Sequence, residues 1–293
     1  MKMQDFIYEY YGIYPNFDYG LHFIQDQFHY ELFLIDNEEL ILKMLKIIQQ
    51  IEIKLKSDGY KIVQNKYGSF TSKGHVLFCY IPRLINLDEL CQMNQINLGS
   101  VVDLNQVRDK WVNKLEFISR RYLQLLDLSH HHYEQYCVMT KYYLGLGETA
   151  IAYLVDLLFD QKQFEINKYL VHQRIKIFSF EEIFNPLNFF EGSRIRDLVE
   201  LYKNQIIHID QVKKYIDFYQ FNRIEIHYFM ARSIFPNYFF DLIEEEYFKE
   251  NYNQKNILNF YHKINLDLFR IKELYYLLNQ YYPLRPIPWI LKD

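Results

Sequence analysis

Glycine and proline are scarce in this chain, with 9 and 7 among 293 residues. A chain so poor in turn-formers is expected to consist mostly of regular elements joined by short connections. Cysteine occurs three times, at Cys79, Cys91 and Cys137. The set is odd in number, widely spaced and without a CxxC pair, which argues against a disulfide framework or a cysteine zinc site and for a reducing compartment. No run of about 18 uninterrupted apolar residues occurs, so no membrane span is expected. The opening stretch MKMQDFIYEYYGIYP carries acids and tyrosines where a signal peptide needs an apolar run, and no export signal is read there. Neither sign of charge is in excess. Lys plus Arg is 33 and Asp plus Glu is 37, a net charge of −4, which gives no electrostatic reason to expect nucleic acid or an anionic membrane as partner.

Apolar and aromatic side chains are what the chain has in quantity. Half of its residues are hydrophobic, and it holds 28 tyrosines and 24 phenylalanines. Aromatics act as stacking platforms for bases when basic residues are interleaved with them. No such interleaving occurs, and the joint abundance of Ile, Lys, Asn, Tyr and Phe fits codon bias in an AT-rich genome. The length suits one large domain or two medium ones.

Periodicity then divides the chain. Residues 3–14 read as a short helix with Phe6, Ile7, Tyr10 and Tyr11 on one side. LHFIQDQFHYELFLI reads as two strands around Asp26–Gln27, and Asn37 caps a helix to about Lys56. Tyr60–Lys66 and His75–Ile81 read as two further strands, closed by Pro82. After Pro82 strand-like runs almost vanish, although Tyr169–Phe178 reads as a short apolar, partly β-like segment. A connector over 83–102 holds a short helix near Leu87–Met93. A long stripe then runs from Leu104 through Trp111 to Leu125. A buried helix over Glu148–Phe159 is introduced by a flexible Gly145–Leu146–Gly147. Helices are expected over 194–204, 209–219, 222–234, 237–250, 254–262 and 266–281, with a non-helical tail lying across the surface. The fold class is α+β: a small mixed lobe over 1–82 and a mainly helical lobe over 83–293.

The stretch Asn185–Leu201, NPLNFFEGSRIRDLVEL, runs an apolar segment into a turn at Glu191–Gly192–Ser193 and then into a helix whose first turn carries Asp197. The layout of a small mixed lobe followed by a large helical one resembles the protein-kinase-like superfamily in its aminoglycoside and choline kinase branch. Phosphoryl transfer needs a phosphate-covering loop, a strand lysine, a catalytic acid and a metal-binding carboxylate. The hairpin at Asp26–Gln27 has no glycine to let backbone approach phosphates. The strand FHYELFLI has no lysine; Lys43 and Lys46 fall on the following helix, where lysine ordinarily faces solvent. In place of His-Gly-Asp the chain has His172–Gln173–Arg174. Arg174 stays protonated and cannot accept a proton from a substrate hydroxyl. The metal position falls on Glu191. Adjacent His130, His131 and His132 point in different directions from a helix and have no partner at ligand spacing, so no metal site is expected. No GxSxG, HExxH, P-loop or GxGxxG occurs, and no cofactor is expected.

Several segments, in order along the chain, resemble the spore-coat-associated YutH family, a relative of the CotS-type kinase-like coat proteins. They are Trp111 with Leu115–Glu116; Tyr142 to Ile151 with Tyr153 and Asp156; His172–Gln173–Arg174; Arg196–Asp197–Leu198–Val199–Glu200; Ala231–Arg232–Ser233–Ile234–Phe235–Pro236; and Pro288–Trp289. Thr149 stands where the family usually has Asn, and Glu191 where it usually has Asp. The resemblance implies a kinase-like protein made in the mother-cell cytoplasm, associated with the spore coat and working through coat-protein partners. It implies degenerate catalytic positions at His172 and Arg174, a degenerate metal position at Glu191, and a structural Asp197 that pairs with His172 or Arg174. The alternative expectation is an active small-molecule phosphotransferase using Glu191 with Asp197 as rewired metal ligands.

Overall fold

The computed structural model describes residues 2–15, 21–125, 133–160, 165–247 and 254–291. Packing divides the chain into two compact units: Met1–Leu98 with Tyr169–Arg194, and Gly99–Lys168 with Ile195–Asp293. Residues 83–98 and 169–194 thus pack with the N-terminal segment.

In the first unit, α1 (Met3–Tyr11) stops at Gly12, whose φ of +76° is the left-handed conformation that closes a helix. Phe6, Ile7 and Tyr11 on its inner side pack with Phe23, Leu32 and Leu77. Those three come from an antiparallel sheet of order β1-β2-β4-β3, built of β1 (His22–Gln25), β2 (Phe28–Leu34), β3 (Lys61–Ile62) and β4 (His75–Tyr80). Asp26 turns the β1–β2 hairpin with φ +56°. The central strand β4 is the most deeply buried: Val76, Leu77 and Phe78 have no exposed surface. The expected helix appears as α2 (Glu38–Leu55), and Asn37 caps it by accepting from the Leu40 N–H at 3.0 Å. The buried positions Ile41, Met44, Ile47, Ile48 and Ile51 recur at helical spacing. α3 (Leu87–Met93) packs on α2.

The expectation that strand-like runs almost vanish after Pro82 is corrected by a second sheet, of order β5-β6-β7, from β5 (Asn97–Asp103), β6 (Glu165–His172), which overlaps the segment read as partly β-like, and β7 (Phe189–Gly192). The β6 and β7 strands pair antiparallel, with Leu170 opposite Glu191 and His172 opposite Phe189. These strands are short and separated by helical sequence, so no continuous period-2 pattern announces them. Between β6 and β7 lie α6 (Phe180–Phe184), capped by Ser179, and a 3-10 turn at Pro186–Asn188.

The second unit is helical. It comprises α4 (Leu104–Leu125), α5 (Tyr133–Asp160), α7 (Ile195–Lys203), α8 (Ile209–Tyr219), α9 (Arg223–Ile234), α10 (Asn237–Tyr247), α11 (Gln254–Leu278) and α12 (Pro288–Leu291). The α5 helix is central, packing against α4, α9 and α11. It is long and apolar enough to cross a membrane by length and composition. Here its Tyr136, Met139, Tyr143, Ala150 and Leu154 are buried in the unit.

Three expectations for this unit are corrected. Gly145–Leu146–Gly147 does not introduce a helix; α5 runs unbroken through it. The two segments expected over 254–262 and 266–281 are the single helix α11. The tail is not wholly irregular or superficial, since α12 forms there and buries Ile290. Pro236 does break the run between α9 and α10.

The two glycines of α5 differ in role. A Cβ on Gly147 would lie 2.7 Å from Leu115 Cδ1 and 3.1 Å from Phe240 Cζ, whereas one on Gly145 would meet nothing within 4 Å. Close approach of α4 and α10 to α5 therefore needs glycine at 147 alone. Gly145→Ala is expected to stabilise by about 0.5–1 kcal/mol through helix propensity. Gly147→Ala is expected to destabilise by about 1–3 kcal/mol through overpacking. Urea unfolding of the two variants checks the pair; equal effects would contradict the packing assignment.

Candidate functional site

His172, Gln173 and Arg174 are fixed by β6 and by the connection that follows it. The end of β6 is anchored from the chain before β5: Asn94, 1% exposed, donates its side-chain N–H to the Leu170 carbonyl at 2.9 Å. His172 ends the strand with no exposed surface. Its Nε2 lies 2.9 Å from the Ile183 carbonyl oxygen. A carbonyl can only accept, so this nitrogen carries the proton and donates. The ring also meets Phe189 edge-on at 5.7 Å. His172 is therefore held as a structural histidine that joins β6 to α6.

Gln173 follows and is exposed; its backbone N–H donates to Asn188 O at 2.9 Å. Arg174 is partly exposed, and its Nη1 donates to the Gln173 carbonyl at 2.8 Å. The guanidinium thus folds back on its own backbone. At this position it supplies a fixed positive charge and donors only, and no site for a proton.

Glu191 lies within β7 rather than in the turn expected from its Glu-Gly-Ser sequence. Its Oε1 is 2.5 Å from Nζ of Lys43, on α2. The side chains are 35% and 55% exposed, so the pair adds at most about 1 kcal/mol to stability. Its effect on chemistry is larger than on stability. The Glu191 carboxylate already has a cation on it, and a divalent ion binding there would have to compete with the ammonium that α2 supplies. Lys43 was expected on a solvated face. Nothing in its local spacing could reveal a partner so distant in sequence.

Asp197 lies in the second unit, in the first turn of α7, with no exposed surface. A carboxylate with no surface offers no oxygen to a soluble metal–nucleotide complex, which weighs against pairing it with Glu191 as a metal ligand. One turn later in the same helix, Glu200 is 1% exposed and meets Arg232 of α9, 5% exposed, at 3.9 Å between Oε1 and Nη2. Neither was singled out beforehand as a chemical group, although both lie within quoted sequence motifs. The other motif residues of this unit also meet. Trp111 stacks on Phe235 with centroids 4.4 Å apart and planes 10° from parallel. Trp289 Nε1 donates to Thr149 Oγ1 at 3.2 Å, and Arg285 pairs with Asp156 at 2.8 Å. His130, His131 and His132 lie outside the described residues. Among the described residues, no group of three or more His, Cys, Asp or Glu is placed to hold a metal ion.

The class defined by these features is a mixed α+β protein with two small sheets and a packed helical unit. The family model described as Spore coat putative kinase YutH matches residues 81–266, more than half of the chain. The chain belongs to that family. No curated protein matches it significantly.

The two ion pairs are expected to respond differently to removal of the cation. Arg232→Met removes the cation that buried Glu200 meets and is expected to cost about 3–5 kcal/mol, most of it recovered when Glu200→Leu is added. Lys43→Met is expected to cost less than about 1 kcal/mol. Denaturant unfolding of the three variants checks this. A Lys43→Met penalty as large as that of Arg232→Met would show that α2 depends on the Glu191 contact.

Proposed function

We propose that this protein is a two-lobed, kinase-like member of its family that has lost phosphoryl transfer and serves the spore coat as an interaction protein. The family supports association with the coat and descent from a kinase-like fold. The loss of chemistry is supported by charge. Arg174 stands where the catalytic acid is needed, and a guanidinium neither takes a proton nor binds a metal. The observation that carries the reading is the 2.5 Å contact between Glu191 and Lys43. A lysine that phosphotransferases direct at nucleotide phosphates is absent from β2, and the lysine that α2 supplies is used on the remaining carboxylate. The metal position is neutralised from within the chain.

Under this reading the fold presents surfaces rather than turning over a substrate. Its partners are other coat proteins, met in the mother-cell cytoplasm during assembly. The aromatic stacks and the buried ion pair keep the helical unit rigid, which suits a protein that must bind without rearranging.

A thermal shift measurement tests the reading. ATP with magnesium is expected to leave the melting temperature unchanged. A nucleotide present at about 100 times its Kd would add about 2.7 kcal/mol and raise the melting temperature by several degrees. Such a rise, abolished by Glu191→Gln, would overturn the proposal in favour of an active phosphotransferase with altered metal ligands.

A further inference from the structure

The helical unit contains a partly open cavity of about 140 Å³ lined by residues of α5, α7, α9, α10, α11 and the connections that follow α7 and α9. That volume is close to the size that admits a benzene ring in a protein interior. It belongs to the second unit alone and owes nothing to the positions of His172, Arg174 or Glu191.

Its lining has two characters. Tyr143, Tyr202, Phe239 and Phe260 supply ring surface. Lys203, Lys263 and Arg270 supply three positive charges against the single carboxylate Asp267. That carboxylate is engaged already, accepting from the Tyr143 hydroxyl at 2.7 Å. Burial raises its pKa, which favours the uncharged form, while the Tyr143 hydrogen bond and the three cations act the other way. The cations are held rather than free. Lys203 donates to the Phe235 carbonyl at 2.8 Å, Lys263 stands 5.5 Å from the centre of the Phe260 ring, and the Arg270 guanidinium stands 5.2 Å from that of Tyr202.

One wall is the first turn of α10. Pro236 precedes this helix and Asn237 opens it, so its positive end borders the cavity. Asn237 is 7% exposed, and its Nδ2 meets no acceptor. The Nε of Arg270 is likewise buried without an acceptor. Buried donors are normally matched, and each unmatched one costs about 1–3 kcal/mol. Two unmatched donors, a helix N-terminus and an excess of cations border one small cavity with aromatic walls. All of them call for an anionic acceptor joined to a flat apolar body.

We propose that this cavity is a binding site for a small aromatic carboxylate, with the ring between the aromatic side chains and the carboxylate on Asn237 and Arg270. The cations and the α10 terminus provide selectivity for the anion, and the rings exclude larger or purely polar ions. A phosphate monoester would satisfy the same donors but carries more charge and hydration than a cavity of this size and aromatic content accommodates.

Titration calorimetry and saturation-transfer NMR on the full chain test this with benzoate, benzyl alcohol, benzylamine and inorganic phosphate as probes. Benzoate is expected to bind with saturation transfer to its ring protons, at least about tenfold more tightly than benzyl alcohol or phosphate, and benzylamine is expected not to bind. Asn237→Asp, of equal size but with an acceptor in place of the donor, is expected to weaken benzoate about tenfold or more. Lys263→Glu reverses a charge on an exposed residue, and is expected to weaken it in the same direction should Asn237→Asp impair folding. Equal affinity for benzoate and benzyl alcohol would overturn the proposal in favour of a merely apolar cavity. Equal affinity for phosphate would overturn it in favour of an unselective anion site. Absence of benzoate binding up to about 10 mM, or unchanged affinity in both variants, would also overturn it.

Discussion

A buried charge must be matched, and in the helical unit that requirement falls on Glu200 of α7 and Arg232 of α9. With 1% and 5% of their surfaces exposed, neither can turn to water for compensation. Their pairing fixes the face that α7 presents to α9, and α9 in turn packs on the central helix α5. The Trp111–Phe235 stack and the Trp289–Thr149 hydrogen bond fasten α4 and the tail to the same core. Segments that the chain spaces far apart meet there: Arg-Asp-Leu-Val-Glu at 196–200, Ala-Arg-Ser-Ile-Phe-Pro at 231–236, and the elements around Trp111, Thr149 and Trp289. Distant stretches of the chain thus meet in one helical unit.

The first unit shows the opposite economy. There His172, Arg174 and Glu191 are engaged by groups of the same unit. His172 joins two elements through a backbone carbonyl, Arg174 bonds its own chain, and Glu191 takes Lys43. None of these contacts is strong. Together they tie His172, Arg174 and Glu191 to their own unit.

Most of the helices could be read from spacing and caps. Asn37 capping α2, the Leu104–Leu125 stripe and the break at Pro236 are local signals, and local signals survive in the fold. The strands β5 and β7 were missed because four to seven residues with mixed burial make no clean alternation. Gly145–Leu146–Gly147 misled because glycine in a helix has two meanings, a break or a close contact, and only the Leu115 and Phe240 side chains distinguish them. At the candidate site the reversal of charge at Arg174 was legible, since it depends on residue type alone. The engagement of Glu191 by Lys43 was not, because it depends on how α2 is placed against β7. The cavity beside Asn237 was equally hidden: its lining comes from helices scattered through the chain, and an unmatched donor is a property of three dimensions.

The central claim is that the charge at Arg174 and the neutralised Glu191 leave no phosphoryl transfer to be performed. ADP release by the full chain, supplied with ATP, magnesium and a range of hydroxyl- and amine-bearing acceptors, measures that directly. The account predicts no release above a protein-free control, with or without acceptor. Steady ADP formation that depends on the protein and disappears in Glu191→Gln would contradict it.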